Sequence, residues 1–240
     1  MLFLGIDFGW QGKPSGLASA EWANEGLELR TMLRRTGLAE VLTWVDEQAG
    51  SGPAMIGIDA PIVIPNQTGM RMVDRLMHRE FGRYHAGCYP ANLGLPSAER
   101  TLALSRALEQ RGFRHAADIA SRVSGRYQIE VHPHAACVQL FDLPRILKYK
   151  KGRVAERRAE LLRYRRLLLT KLPLFRSLNL PDLPDSGAAL KEVEDQMDAV
   201  LCAYIAAVWW LWGTKRATVY GSEADGYIVV PHRVSGVASP

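Results

Sequence analysis

Cysteine is scarce in this chain of 240 residues. Its three, Cys88, Cys137 and Cys202, stand far apart with no C-x-x-C spacing, which argues against a zinc knuckle or a disulfide framework and suits a reducing compartment. Long apolar runs are missing too: no stretch reads as long and uninterrupted enough for a membrane span, and the N-terminus has neither a basic leader nor a cleavage site. The expectation is a cytoplasmic protein with no membrane partner. Nor is there a strong excess of one charge. A net charge of +5 permits a polyanionic partner without demanding one, unless the excess is clustered. With 48% hydrophobic and 23% charged residues the composition is globular and can bury one sizeable core, so a single domain over residues 1–240 is expected.

What is present begins with MLFLGIDFGW, Met1 to Trp10. Leu2 to Ile6 is a short apolar run of the kind that makes a buried central strand, and Asp7 follows at its end between Gly5 and Gly9. A carboxylate there, if buried and unpaired, costs several kcal/mol, so it calls for a metal, a hydrogen-bonded partner or a ligand. Asp-x-Gly is also ordinary turn chemistry. The same grammar returns later: Ala54 to Ile58 is apolar and is followed directly by Asp59-Ala60-Pro61. Pro61 cannot donate to a ladder, so that strand stops near Asp59 and leaves a second acid at a strand tip.

Between them, Leu17–Trp22 and Leu27–Leu33 read as strands joined by the turn Ala23-Asn24-Glu25-Gly26, which makes a three-stranded antiparallel meander. Leu38, Val41, Leu42 and Val45 then have helical spacing. A strand after a crossover helix usually lies parallel to an earlier one, so Asp7 and Asp59 are expected on one C-terminal sheet edge, where open α/β sheets bind ligands.

Residues from about 65 to 125 read as a helical and loop insertion covering that edge. It contains a helix over Gly69–Phe81, a long loop over Gly82–Pro96 and a helix from Ser97 to about Arg111. Arg71, Asp74 and Arg75 fit either a surface network at i, i+3, i+4 spacing or a phosphate grip. Tyr127–Val131 is a further strand carrying Glu130, followed by His132-Pro133-His134. A continued strand would put Glu130, His132 and His134 on one face, but Pro133 argues against it. The histidines suit packing or supporting roles better than metal ligation, whereas Glu130 is a candidate for the site.

The positive charge gathers in LKYKKGRVAERRAELLRYRRLLLTK, Leu147 to Lys171. Leu161, Leu162, Leu168, Leu169 and Leu172 recur with helical spacing and leave the arginines on the other faces. Such a run is either a solvated helix face or, with Lys148, Lys150 and Lys151 just ahead of it and Arg157 within it, a phosphate-tracking surface. Pro173–Gly187 reads as an extended linker. The last long helix, about Ala188–Trp212, places Asp198 roughly 100° around from the core residue Met197 and Asp195 one turn behind. Two carboxylates one turn apart repel, and a cation between them would explain their place at a core margin. A hairpin of Ala217–Tyr220 and Tyr227–Val230 closes the chain.

Taken together, GIDFG at Gly5–Gly9, IGIDAP at Ile56–Pro61, G-x-R-x-x-D-R at Gly69–Arg75, IEVHP at Ile129–Pro133, YKKG at Tyr149–Gly152 and DQMDAVLCAY at Asp195–Tyr204 resemble the predicted RNase H-like nucleases, a family of unknown function (domain of unknown function 429) related to the RuvC-type resolvases. The resemblance covers most of the chain. It implies an α/β ribonuclease H-like fold with a mixed five-stranded sheet, flanking helices, the insertion and the C-terminal hairpin. It also implies a nuclease acting on DNA or RNA with Mg²⁺ or Mn²⁺. Asp7, Asp59 and Asp198 would be the core metal ligands, Asp195 the fourth and Glu130 a fifth catalytic acid, while Arg71, Arg75, Lys148, Lys150, Lys151 and Arg157 would hold the nucleic-acid backbone. Many RNase H-like nucleases carry Glu where Asp59 stands, and the shorter side chain must approach a metal more closely. Hard oxygen ligands suffice for Mg²⁺, and a pair of such ions about 3.5–4 Å apart serves phosphodiester hydrolysis.

Two rivals stay open. One is a non-catalytic nucleic-acid-binding or scaffolding protein on the same fold. The other is an actin-like or sugar-kinase-like phosphotransferase, which also uses a G-I-D-x-G strand but normally needs two lobes and a second phosphate loop.

Overall fold

Strand β1 (Leu2–Asp7) is apolar on both sides and lies in the middle of the molecule, as its unbroken run of buried residues from Phe3 to Ile6 requires. The computed structural model describes residues 1–9 and 12–232. Trp10, at the end of the expected first-strand stretch, lies outside the described residues, as do Gln11 and residues 233–240. β2 (Ser15–Ala23) pairs antiparallel with β1, and β3 (Gly26–Arg35) pairs antiparallel with β2, in sequence order. Their turn is tight, with Asn24 and Glu25 both at positive φ, the backbone a two-residue hairpin favours. α1 (Leu38–Ala49) then crosses over to β4 (Ala54–Ile58), which runs parallel to β1.

The stretch expected to be an insertion supplies α2 (Met72–Phe81), α3 (Ala98–Glu109) and a two-residue strand, β5 (Arg114–His115). β6 (Arg126–Glu130) returns parallel to β4, and α4 (Pro133–Phe141), α5 (Val154–Lys171), β7 (Phe175–Ser177) and α6 (Gly187–Trp212) follow. β8 (Ala217–Ser222) and β9 (Gly226–Pro231) form the closing hairpin. Among the described residues the main sheet therefore has seven strands, not five, in the order β5-β6-β4-β1-β2-β3-β7. The five expected strands are its centre. The additions are the edge strands β5 and β7, and the second lies in what read as a linker. Strands of two and three residues are too short to show any period of apolar side chains.

Alternation sorts the side chains of the central strands onto two faces. Phe3, Met55 and Ile129 join one core with α6, while Leu4, Ile6, Ile56 and Ile58 join another with Val41 and Trp44 of α1 and Leu104 and Leu108 of α3. By length and composition α6 and the turn after it are apolar enough to cross a membrane, which the reading of interrupted runs did not anticipate. In the fold, 89% of its most apolar window is buried against the sheet and its neighbours. It approaches so closely that a Cβ on Gly5 would collide with the Ala199 carbonyl, and one on Gly16 with the Asp195 carbonyl. Those two contacts fix which turn of α6 lies over the C-terminal end of β1.

Candidate functional site

The register of the parallel strands decides which acids meet. Ile6 of β1 pairs with Ile58 of β4, and the Asp59 amide donates to the Ile6 carbonyl at 2.9 Å, so Asp7 and Asp59 are neighbours at two adjoining strand tips. By alternation both side chains share the side of Phe3, Gly5, Met55 and Gly57, the face that α6 covers. α6 brings Asp198 and Asp195 to the same edge, and both are buried, so Asp195 is not a solvated surface acid. The four aspartates feel one another. Asp7 has its pKa pushed well above the usual carboxylate range, first by burial and then by Asp198, Asp59 and Asp195, against the lowering pull of Lys150.

Lys150 and Tyr149 hold Asp198 from opposite oxygens. The buried Tyr149 hydroxyl donates to Asp198 Oδ1 at 2.8 Å, and Lys150 Nζ lies 2.8 Å from Oδ2. Burial works against the Lys150 charge, yet Asp198, Asp7 and Asp59 together raise its pKa well above the ordinary value. Asp195 is flanked by Arg34 of β3 at 2.9 Å and by Lys191 of α6 at 2.6 Å. The Oδ2 atoms of Asp195 and Asp198 touch these cations without an aligned hydrogen bond.

His132 stands at the fourth side. The strand stops at Glu130, as Pro133 required, because Pro133 occupies the first turn of α4 and His132 its N-terminal flank. His132 Nδ1 lies 3.9 Å from Asp59 Oδ1, and its Nε2 contacts the Ala86 carbonyl at 3.1 Å. Burial opposes its charge, but Cys88 and Asp59 raise its pKa well above the ordinary value. Asp59 moves the other way: burial alone would raise its pKa, and the contact with His132 and the field of Lys150 lower it. His134, one helical step on, is pushed down to about 3 by burial and by the charges of Lys150 and His132.

Glu130 is not with the other acids. It pairs with Ile58, one residue short of Asp59, so alternation sends it to the opposite face of the sheet. There it accepts two hydrogen bonds from Arg71, at 2.6 and 2.8 Å, and one from the Ile62 amide at 3.0 Å. Arg71 also binds Asp74 at 2.8 Å, and all three are buried. Arg71 is thus an internal counter-ion and not a surface phosphate ligand, and the surface network expected for Arg71, Asp74 and Arg75 reduces to an exposed Arg75. Arg157 is turned inward as well, onto Glu194 at 3.2 Å and the Tyr149 carbonyl at 3.1 Å. Lys150 points at the acids, which leaves Lys148 and Lys151 as the exposed members of the expected basic set beside Arg75.

The four aspartates supply carboxylate oxygens at this edge, the chemistry that suits a hard divalent cation. As they stand, no three His, Cys, Asp or Glu side chains among the described residues are grouped to hold one. Lys150 takes the place of a cation against Asp198. The sequence profile of a family described as a protein of unknown function (DUF429) matches residues 5–224. The chain belongs to that family. No curated protein and no solved structure matches it. The match to the DUF429 profile takes in all four aspartates as well as Tyr149, Lys150 and His132. Of these, Tyr149 enters the sequence reading as the first residue of the YKKG motif, with no site role, and Lys150 as a backbone clamp. Arg34 carried no signal, because nothing in a strand sequence tells which helix end it will face.

Proposed function

We propose that this chain is a metal-dependent nuclease that hydrolyses phosphodiester bonds of DNA or RNA on a ribonuclease H-like fold, with Asp7, Asp59 and Asp198 as its Mg²⁺ or Mn²⁺ ligands and Asp195 as the fourth. The observation that carries the reading is the gathering of four aspartates at one sheet edge, where burial first, and then the charges of Asp198, Asp59 and Asp195, raise the pKa of Asp7 against the pull of Lys150. Acids kept together against their mutual repulsion need positive charge between them. The element order, a meander, a crossover helix, two further parallel strands and a closing acid-bearing helix, agrees with the fold that the resemblance implies.

Bound divalent ions supply an activated water and charge stabilisation for the leaving oxygen. The chain's own residues set the stage for that. Tyr149 fixes the Asp198 carboxylate by its hydrogen bond, and His132 beside Asp59, with Lys150, lowers the pKa of that carboxylate. Lys150 offsets the charge of the acids in the metal-free protein, and its ammonium would be free to meet a phosphate were Asp198 to hold a metal instead.

That same Lys150 contact supports a second reading. A lysine that permanently occupies the cation's place describes a non-catalytic nucleic-acid-binding protein on the same fold. Incubating the protein with labelled DNA and RNA strands in Mn²⁺ and in EDTA separates the two. Cleavage that requires Mn²⁺ and is lost in Asp7→Asn supports the nuclease; binding that survives EDTA, with no cut strand under any metal, supports the binder.

A further inference from the structure

Tyr89 is the one Phe, Tyr or Trp among the described residues with an exposed side chain, at 70%. It stands on the long loop between α2 and α3, and Lys151 reaches it: the ammonium donates to the Tyr89 hydroxyl at 3.1 Å and lies 5.8 Å from the ring centroid. Lys151 directly follows Lys150, which touches Asp198, so the ring's partner is one residue along the chain from the cation at the acid edge. On the other side of Lys151 a groove of about 390 Å³ is lined by Arg145, Lys148, Lys151 and Arg163, with Glu156 and Glu160 among them. Both acids are partly engaged by backbone, Glu160 accepting from the Lys148 amide and Glu156 from the Arg153 amide. Cations therefore outnumber acids in a groove that starts next to an exposed aromatic ring.

We propose that the polymer taken by this site is a single strand, with one unpaired base stacked on Tyr89 and the flanking phosphates in the groove of Arg145, Lys148, Lys151 and Arg163. The proposal rests on the nucleic-acid partner of the preceding section and names the form of it. A solvent-facing ring is useful to a base whose flat face is free. In a duplex those faces are covered by neighbouring bases, so such a ring finds no partner there. A cationic groove with a stacking platform at its end is the pairing of features by which single strands are held without sequence preference.

The test is binding in EDTA, by fluorescence anisotropy. The probes are labelled single strands of about twelve nucleotides, one DNA and one RNA, and a duplex of the same sequence. Single strands are expected to bind more tightly than the duplex. Tyr89→Ala should weaken single-strand binding between about fivefold and a hundredfold without altering its dependence on salt, and Tyr89→Trp should restore it. Lys151→Gln should lower the slope of log affinity against log salt by about 0.7, one phosphate contact on a single strand. Tyr89→Ala binding as well as wild type, equal losses on duplex and single strand, or no binding to any strand would each overturn the proposal. A wild type that binds in this Tyr89-dependent way but cuts nothing in Mn²⁺ rejects the catalytic reading and leaves this one standing. A protein that cuts, with Tyr89→Ala unimpaired in binding and cutting, does the reverse.

Discussion

Lys150 Nζ rests 2.8 Å from Asp198 Oδ2, so an ammonium closes an edge where four aspartates converge. An ammonium is a compact single charge on a flexible stem, whereas a divalent ion brings twice the charge and takes several oxygens at once. Each can offset the repulsion, and the two compete for the same oxygen.

Replacing Lys150 by Gln tests that competition. The substitution leaves Asp198 Oδ2 without its ion pair and Asp7 without its main lowering influence, so the metal-free protein should lose roughly 1–3 kcal/mol. Added Mg²⁺ or Mn²⁺ should then raise Tm by more than it does in wild type, because no tethered cation has to leave first. Thermal melts of both proteins across a metal titration give the answer. An equal metal-induced gain in the two would mean that ion and ammonium use different sites.

Asp7→Asn should act in the opposite direction. Removing one crowded negative charge relieves repulsion with Asp198, Asp59 and Asp195, so metal-free Tm should stay level or rise slightly while Mn²⁺-dependent cleavage disappears. A structural Asp7 makes the other forecast, a clear drop in Tm from hydrogen-bond partners left unmatched. Melting and cleavage assays on the same two preparations distinguish them.

Much of this edge was legible in the sequence. Apolar runs ending in Asp7 and in Asp59 mark strand tips, and the helical period around Met197 places Asp198 and Asp195, because these signals depend on local spacing. Glu130 shows where such reading stops. It too ends a strand of the same sheet, but its face depends on register with β4, and a shift of one residue sends a side chain to the opposite side. Arg71 and Arg157 were misplaced for a related reason: a cation's sequence neighbours do not reveal a buried acid 59 or 37 residues away. The edge strands β5 and β7 are too short to carry a pattern, and they exist because longer neighbours offer open backbone groups.

Metal binding should depend on pH through Asp7. Its pKa is raised in the folded state, so the folded protein holds that proton more tightly than the unfolded chain does. In the metal-free protein the resulting stability is present at low pH and is lost as pH rises through the raised value. A divalent ion must displace the proton, so the Tm gain produced by Mn²⁺ should be larger near about pH 8 than near about pH 5.5. Asp7→Asn should flatten that dependence. Identical gains at both pH values in wild type would remove Asp7 from the ligand set.

Glu130 provides the last prediction, which separates a buried structural carboxylate from a ligand. Its two oxygens are taken by Arg71 and the Ile62 amide, on the face of the sheet opposite Asp7 and Asp59. Burial raises its pKa and the Arg71 guanidinium lowers it, a balance in which the net shift is upward. Glu130→Gln should therefore destabilise by about 1–3 kcal/mol, because Arg71 keeps Asp74 as one partner but loses its second charge. Arg71→Met should cost more, on the order of 3–5 kcal/mol, since it strands two buried acids at once. Neither change touches the edge where Lys150 meets Asp198, so the Tm gain produced by Mn²⁺ should be the same in Glu130→Gln as in wild type. Melts of the two proteins with and without the ion make the comparison, and a gain that vanished in Glu130→Gln would return Glu130 to the metal site.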